Sequence, residues 1–449
     1  MLYIWFLWAI LASALASFVG NSSTELQAYL WCSFGLLLGI LYAALISFSD
    51  SNKIKNSKSS QLGVLLIVLV THIIFLISKP IKEDDYFRYS FDGRNSRMGI
   101  HPYDKTPLEI MQTNIHSPDY LNLINYPNYK TIYPPIAQVF FLSEVFYPDT
   151  IYGWWILVAI LDLFAVVFSW LYINKNKIHW QYFVFLWLNP IWLKEGLNSG
   201  HLDLLAGLML LLVIYLNNIS TKKHQILSVI LLGLTMGIRP WFGIFGLYYL
   251  FTGKFKYFFV FSLTFILPWV ILFSLPNAPA FLDSMSSWGH FVKKWEFNSI
   301  FYDLFYRLNK IIFTDYSWAR GFSWLMGVFV MMFVLLKNLK NADFVFWGMC
   351  SVTAWLLFQP TANAWYFLPG IIVSGSCLLY YQKNEMYYKG YLAAFVIILP
   401  LSYMHYLDLK RDFLDYKWAL LEILLIFLVC LLFYFKSVVQ TTTKQLSSD

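Results

Sequence analysis

Charged side chains are scarce in this sequence, since Asp, Glu, Lys and Arg together make up only 13% of its 449 residues. Ordinary soluble proteins contain about 25%. Hydrophobic residues make up 59% of the chain, and a soluble protein with this balance would lack the polar residues needed to cover its surface. The composition therefore excludes a soluble globular protein.

Cysteine is also rare, with four residues that all lie within apolar runs, at Cys32, Cys350, Cys377 and Cys430. Their spacing matches no zinc site. We interpret them as small buried hydrophobic side chains, and they indicate nothing about the redox compartment.

Glycine-rich phosphate loops and internal repeats are both missing. No Walker-type run occurs, so the sequence predicts neither a nucleotide cofactor nor a nucleotide substrate. No inverted repeat of the kind found in transporters is visible. The net charge of +7 comes from lysines in short loops between apolar runs, which is a topology signal and does not indicate nucleic-acid binding.

What the chain does contain is a succession of apolar runs, each long enough or nearly long enough to cross a hydrocarbon core about 30 Å thick. We predict a single all-α polytopic membrane domain over 1–449, with about fourteen transmembrane helices. The predicted spans are 3–20, 27–48, 61–79, 150–173, 180–194, 202–217, 226–238, 240–251, 257–275, 318–336, 343–358, 366–382, 388–406 and 417–435.

Lysines in alternate connections set the predicted orientation, because positively charged loops remain in the cytoplasm. Both termini, including a polar tail at 436–449, are then cytoplasmic. The two long loops, 80–149 and 276–317, are extracytoplasmic. Within the first loop, 133–147 predicts an interfacial helix. Pro240 predicts a break between two short apolar segments, which places Arg239 at a turn near the outer face.

The densest charge lies at 82–94, "KEDDYFRYSFDGR". Carboxylates such as Asp84 and Asp85 could act as a general base, bind a metal, or cap the helix that follows. An i,i+4 pair between Asp84 and Arg88 would be a purely structural use of these charges. Alternatively, Arg88 and Arg94 could hold a leaving phosphate, because guanidinium groups match phosphate oxygens, while an acid takes a proton from an attacking hydroxyl.

The stretch "DDYFRYSFDGRNSRMGIHPY" (84–103) resembles the first-loop motif of the polyprenol-phosphate-mannose-dependent mannosyltransferases of the GT-C superfamily. Three further pieces follow in that family's order: "YPP" with a following glutamine (133–138), "SGHLD" (199–203) and "AWY" (364–366), and "KKWEFNSIF" (293–301) resembles an aromatic-plus-"FNS" element of the family's second large loop. The resemblance implies a GT-C-type fold and an inverting sugar transfer. It implies that Asp84 or Asp85 is the catalytic base, with no nucleotide cofactor and no metal site expected.

The site residues follow from this resemblance and from residue chemistry. We expect Arg88, Arg94, Arg239 and His201 to bind the donor phosphate. Substrate contacts are expected from Asp92, Tyr103, Asp203, Trp295, Asn298, Trp365 and Tyr366. Two structural alternatives stand beside these assignments. Asp203 could cap the helix that it begins, and the aromatic residues could be membrane-interface anchors.

The sequence therefore predicts a membrane glycosyltransferase that moves a hexose, with mannose favoured, from a polyprenyl-phosphate sugar to a lipid-linked or cell-envelope glycan. The predicted location is a bacterial inner membrane, with the active site and its lipid substrates on the extracytoplasmic side. Two alternatives are a flippase or transporter of lipid-linked oligosaccharide, and an envelope glycan ligase or polymerase. A transporter should bury its ionisable residues near the middle of the bilayer, whereas here they crowd one face.

Overall fold

The computed structural model describes residues 1–49, 57–113, 119–219, 221–313, 317–381, 385–404, 421–429 and 431. These residues form helices and no strand; one isolated β-bridge joins Phe297 to Thr361. The α-helices are α1 (Leu2–Gly20), α2 (Thr24–Phe48), α3 (Lys58–Ile77), α4 (Asp85–Arg97), α5 (Pro107–Met111), α6 (Pro135–Phe141), α7 (Tyr152–Lys175), α8 (Trp180–Trp187), α9 (Asp203–Ile219), α10 (Lys222–Met236), α11 (Ile244–Phe251), α12 (Phe255–Phe273), α13 (Phe281–Ser284), α14 (Ser286–Lys294), α15 (Ile300–Phe313), α16 (Ser317–Lys337), α17 (Phe344–Leu357), α18 (Leu368–Tyr380) and α19 (Glu385–Ile398).

Six helices are long and apolar enough to cross a membrane within the described ranges, namely α1, α2, α3, α7, α12 and α16. A seventh span results if the π-helical segment Trp192–Asn198 and α9, bent by 116° at their junction, count as one. The multi-pass architecture is confirmed, and the count of fourteen stays a prediction. Of the predicted last span, only 421–429 and 431 are described, and the 436–449 tail lies outside the described residues.

Several predicted spans are shorter in the structure because proline or an irregular turn interrupts them. The predicted 180–194 span ends as α8 at Trp187, since Pro190 cannot donate the backbone hydrogen bond that would continue it. The expected break at Pro240 is observed, with a 3-10 turn over Pro240–Gly243 between α10 and α11. The predicted interfacial helix at 133–147 is instead divided into α6 and a 3-10 turn over Leu142–Phe146.

A buried histidine–aspartate hydrogen bond joins two of the membrane helices. His72 Nδ1 on α3 lies 2.8 Å from Asp162 Oδ2 on α7, and His72 Nε2 lies 2.7 Å from the Trp187 carbonyl oxygen. An acid within an apolar helix needs such a partner, so Asp162 serves as a helix–helix contact.

The junction between the π-helical segment and α9 depends on Gly200, whose φ of +61° is unfavourable for other residues. Its carbonyl accepts a hydrogen bond of 2.8 Å from Trp154 Nε1. A Cβ at this position would lie 3.0 Å from the same indole nitrogen. The sharp turn places His201 and Asp203 at one end of the helical bundle.

Ion pairs and a close backbone contact join the beginning of the first loop to its end. Arg94 Nε lies 2.8 Å from Asp149 Oδ1, and Arg97 Nε lies 2.8 Å from Glu144 Oε2. Gly93 allows α4 to contact α6, because a Cβ there would stand 2.0 Å from the Phe141 carbonyl oxygen. The loop is therefore a packed subdomain.

Gly93→Ala should destabilise the protein by about 1–3 kcal/mol, because the added methyl group forces α4 away from α6. Thermal unfolding of the purified protein in detergent measures this. Gly321→Ala on α16, where a Cβ would meet no atom within 4 Å, is the matched control and should leave the midpoint within about 1 °C of wild type. Equal midpoints for the two variants would contradict the close approach.

Candidate active site

A cavity of about 760 Å³ lies where the ends of α1 and α3 meet the two long loops. Gly20 ends α1, and its backbone packs against Lys79 just beyond α3, so the cavity is at one end of the bundle of candidate spans. Six segments line it: 20–27, 79–88, 125–133, Arg239, 287–297 and 363–366. Its size is typical of sites that enclose a small organic ligand.

At this cavity the side-chain amide of Asn125 contacts the carboxylates of both Asp84 and Asp85. Asn125 Nδ2 donates to Asp84 Oδ1 and to Asp85 Oδ1, at 2.8 Å in each case. Asp84 precedes the first turn of α4, is exposed, and forms no ion pair with any described residue. The side chain of Asp85 is 21% exposed. Both acids that the sequence predicted as candidate bases therefore line the same cavity.

The surroundings make both acids more basic than an ordinary aspartate. Although its carboxylate opens to the cavity, the surrounding protein removes much of the water around Asp84, and this desolvation, with the neighbouring Asp85 charge, raises the pKa of Asp84 to about 6, against the lowering effect of Asn125. Burial also raises the pKa of Asp85, opposed mainly by His201. A carboxyl group with a pKa near 6 is ionised at neutral pH, yet it accepts a proton more readily than an ordinary aspartate.

Behind the acid pair lies a buried cluster of ionisable groups. Lys194 Nζ lies 3.4 Å from Glu83 Oε1 and 3.2 Å from Glu195 Oε2. The Tyr403 hydroxyl lies 2.8 Å from Glu83 Oε1 and 3.0 Å from Glu195 Oε1, and it also contacts Lys194. Burial alone would raise the pKa of Glu83, but Lys194 and His201 lower it below its usual value. Glu83 is thereby fixed as a carboxylate one residue before Asp84.

This cluster is also where a metal ion could be considered. Glu83, Glu195 and His201 each offer one ligand atom, and the three atoms lie within 4.8 Å of one another. However, Lys194 already places its ammonium group against both carboxylates. A metal ion would have to lie beside this buried positive charge, so the donor set fits a lysine-centred ion cluster better than a metal site.

Arg239 lines the cavity and is held from three sides. Asp203 binds it through both carboxylate oxygens, at 3.1 Å to Nε and 2.5 Å to Nη2. The guanidinium carbon also lies 5.3 Å from the ring centre of Trp241 and 5.0 Å from that of Tyr366. Such stacking is typical of cation–π contacts. Asp203 begins α9 and orients Arg239, which links the broken span to the turn at Pro240.

A family model for glycosyltransferase family 87 matches residues 131–360, just over half of the chain. The chain belongs to this family. Family 87 is one of the membrane glycosyltransferases of GT-C type, which include mannosyltransferases. The comparisons with curated proteins and with solved structures gave no match. The predicted resemblance to GT-C enzymes is thus confirmed, as is the prediction of a membrane glycosyltransferase.

The family 87 match contains His201, Asp203, Arg239 and the second loop, whereas Asp84 and Asp85 precede it and Trp365 and Tyr366 follow it. The structure brings these separate parts together, because the matched segment supplies walls of the cavity in which both acids lie.

The arginines differ in how they meet the cavity. Arg88 lines it but pairs with Asp92 at 3.0 Å, and not with Asp84 as the i,i+4 alternative proposed. Asp84 precedes α4, which begins at Asp85, so Asp84 and Arg88 are not both on the helix and do not form an i,i+4 pair. Arg94 does not line the cavity and pairs with Asp149, a contact between distant parts of the loop that sequence spacing does not reveal.

Five other predicted residues lie behind the cavity wall, and one of them is Asp203, which binds Arg239 as described above. Asp92 binds Arg88 and accepts a hydrogen bond of 3.3 Å from Gln138. The Tyr103 hydroxyl donates to the Tyr133 carbonyl oxygen at 2.5 Å. Asn298 Nδ2 donates to the Ala362 carbonyl oxygen at 2.9 Å, which joins the second loop to the segment that precedes Trp365. His201 is fully buried and stacks on Trp365, with ring centres 4.0 Å apart.

Three predicted aromatic residues do line the cavity: Trp295, Trp365 and Tyr366. Sequence reasoning missed Asn125, which no local motif marks, and it missed the shared role of Glu83, Lys194 and Tyr403. Lys194 also lies 3.2 Å from the carboxylate of its neighbour Glu195. Two charged residues inside an apolar run, as in "WLKEGLN" (192–198), were the available signal.

Lys194→Met should destabilise the protein by about 3–5 kcal/mol, because Glu83 and Glu195 would be left buried without a cation. Thermal unfolding in detergent at pH 7 measures the loss. Lys130→Met, on the cavity margin and without an ion pair among the described residues, is the matched control and should have little effect. If both variants unfold like wild type, the buried ion cluster is not a structural element.

Proposed function

We propose that this family 87 protein transfers a hexose, with mannose the first choice, from a polyprenyl-phosphate sugar to a lipid-linked or cell-envelope glycan. The observation that carries the proposal is the exposed Asp84 carboxylate beside Asp85, in a cavity at the end of the candidate membrane spans. A lipid-borne phosphate sugar would present its reacting carbon at this depth. The proposed location is the outer face of a bacterial inner membrane.

In the proposed reaction Asp84 is the base. Its carboxylate takes the proton from the acceptor hydroxyl as the acceptor oxygen forms a bond to the anomeric carbon of the donor. The bond from that carbon to the phosphate oxygen breaks, and its electron pair leaves with the polyprenyl phosphate. Attack from the side opposite the phosphate inverts the configuration. Asp84 suits this role because it lines the cavity and has a raised pKa.

The phosphate needs cations, and the cavity supplies two of the predicted arginines, Arg88 and Arg239. Each has a carboxylate partner that fixes its guanidinium group. A prepositioned guanidinium stabilises developing phosphate charge without having to reorganise during the reaction. Lys79 and Lys130 line the same cavity and would add positive charge near the lipid boundary. The aromatic faces of Trp295, Trp365 and Tyr366 would contact the sugars.

Asp84→Asn should lower the transfer rate by at least about 100-fold, because the amide cannot accept the hydroxyl proton. Asp85→Asn should retain more activity, since Asp84 remains. The assay uses purified protein, polyprenyl-phosphate mannose and a lipid-linked glycan acceptor, with polyprenyl-phosphate glucose in parallel.

Asp104→Asn, a first-loop acid outside the cavity lining, is the matched control and should match wild type. Rapid transfer by the Asp84→Asn protein would remove the base assignment.

The transfer rate should fall as pH drops below about 6, because the raised pKa of Asp84 means that its active, ionised form is lost there. Asp85→Asn removes the neighbouring negative charge that raises this pKa. The acid limb of the pH profile, which is the fall in rate toward low pH, should therefore move to lower pH in this variant. Rates measured from pH 4.5 to 8 test both statements. An acid limb that does not move in Asp85→Asn would contradict the coupling of the two acids.

A further inference from the structure

His201 is surrounded by carboxylates, although no part of its ring lines the cavity. Its Nε2 lies 3.5 Å from Glu83 Oε2 and 3.5 Å from Glu195 Oε2, and its Nδ1 lies 3.8 Å from Asp85 Oδ2. The side chain is completely buried. Neither ring nitrogen forms a hydrogen bond of good geometry. The contacts are therefore mainly electrostatic.

This arrangement favours a positively charged ring for a geometric reason. A neutral imidazole carries a hydrogen on one nitrogen and a lone pair on the other. Here the lone pair would lie 3.5 or 3.8 Å from a carboxylate oxygen whichever tautomer formed, and the two would repel each other. An imidazolium presents an N–H group to both sides.

The other groups around the ring support the same charge state. The other ionisable groups of the cluster are Lys194 and Tyr403, which contact Glu83 and Glu195, and Tyr89 and Arg239, which act on Asp85. One face of the imidazole stacks on Trp365 at an angle of 13°. Lys194 is already shared by two carboxylates and Arg239 is paired with Asp203, so a charged His201, 3.8 Å from Asp85 Oδ2, supplies the cation that balances Asp85. A buried excess of negative charge is costly, and a second cation reduces it.

We propose that His201 is a positioning residue: it remains an imidazolium, holds Asp85 as a carboxylate, and so leaves Asp84 as the group that accepts the proton. This inference rests on the proposed function for its catalytic consequence, whereas the charge of His201 is a property of the protein alone.

The contacts of the two acids divide their roles. Asn125 donates to Asp85 at Oδ1, and at Oδ2 the Tyr89 hydroxyl lies at 3.4 Å and His201 Nδ1 at 3.8 Å. Within the described residues, the Asp84 carboxylate accepts a hydrogen bond from Asn125 alone and is open to the cavity. The carboxylate of Asp84 is therefore better placed than that of Asp85 to accept the proton of an acceptor hydroxyl. The negative charge kept on Asp85 also makes Asp84 a stronger base.

The charge of His201 can be measured without any substrate. Nitrogen NMR spectra of the full-length protein, labelled with ¹⁵N-histidine and held in lipid nanodiscs at pH 7.5, distinguish an imidazolium from either neutral tautomer. Comparison with His201→Gln assigns the His201 signals among the eight histidines. We expect two protonated nitrogens with similar chemical shifts, as in an imidazolium. A neutral tautomer at pH 7.5 overturns the proposal.

The pH profile tests the positioning role. Without the positive ring, Asp85 loses its main electrostatic partner and takes up a proton, so its charge no longer raises the pKa of Asp84, and the acid limb of His201→Gln should move to lower pH, as in Asp85→Asn. A merely structural change would lower the rate without moving the limb. His72→Gln is the matched control, because it removes another buried, carboxylate-paired histidine away from the cavity, and its limb should stay in place.

The two proposals fail in different ways. An unmoved limb in an active His201→Gln protein overturns the positioning role. Wild-type protein that transfers no hexose overturns the proposed function, and the NMR spectrum then still decides the charge of His201.

Discussion

The buried ammonium group of Lys194, placed between Glu83 and Glu195, connects the acid stretch of the first loop to the broken membrane span. Lys194 and Glu195 belong to the π-helical segment Trp192–Asn198, whereas Glu83 lies just beyond α3. Because a buried charge without a partner is costly, moving either segment away would destabilise the protein, and the two segments therefore stay together. This constraint fixes the backbone immediately before Asp84 and Asp85.

The remainder of the site follows from that fixed point. With Glu83 held inward, Asp84 lies toward the cavity and Asp85 lies between Asn125 and His201. The sharp turn at Gly200 places His201 against the same carboxylates, and Asp203, three residues further on, positions Arg239. Two stretches that are more than 100 residues apart in sequence therefore build one wall of the cavity. Acids held in this way would need little rearrangement when a substrate binds.

Local sequence signals predicted much of the architecture. Hydrophobic runs located the long membrane helices, and proline marked the break near Arg239, whereas the break after Trp187 was not predicted. The acids beside arginines at the end of a span predicted Asp84 and Asp85 as candidate site residues. The family 87 match confirmed the class of enzyme. These signals succeed because hydrophobic length and backbone restriction act over a few residues.

Pairings across long sequence distances could not be read in the same way. Arg94 resembles a phosphate ligand in sequence, yet Asp149, 55 residues later, binds it. His201 also resembles one, yet folding surrounds it with carboxylates. Asn125 lies in a loop without a motif, although its amide joins the two acids. In each case tertiary packing determines which residues come into contact. The type and local spacing of a residue do not reveal a partner that is distant in sequence.

The central claim is that the cavity beside Asp84 receives the sugar of a lipid-phosphate donor. An experimental structure of the Asp84→Asn protein with polyprenyl-phosphate mannose bound in nanodiscs tests it most directly. The account predicts the mannose beside residue 84, its phosphate facing Arg239, and the polyprenyl chain leaving toward the ends of α1 and α3. A donor bound elsewhere in the helical bundle, with the cavity empty of sugar, would contradict it.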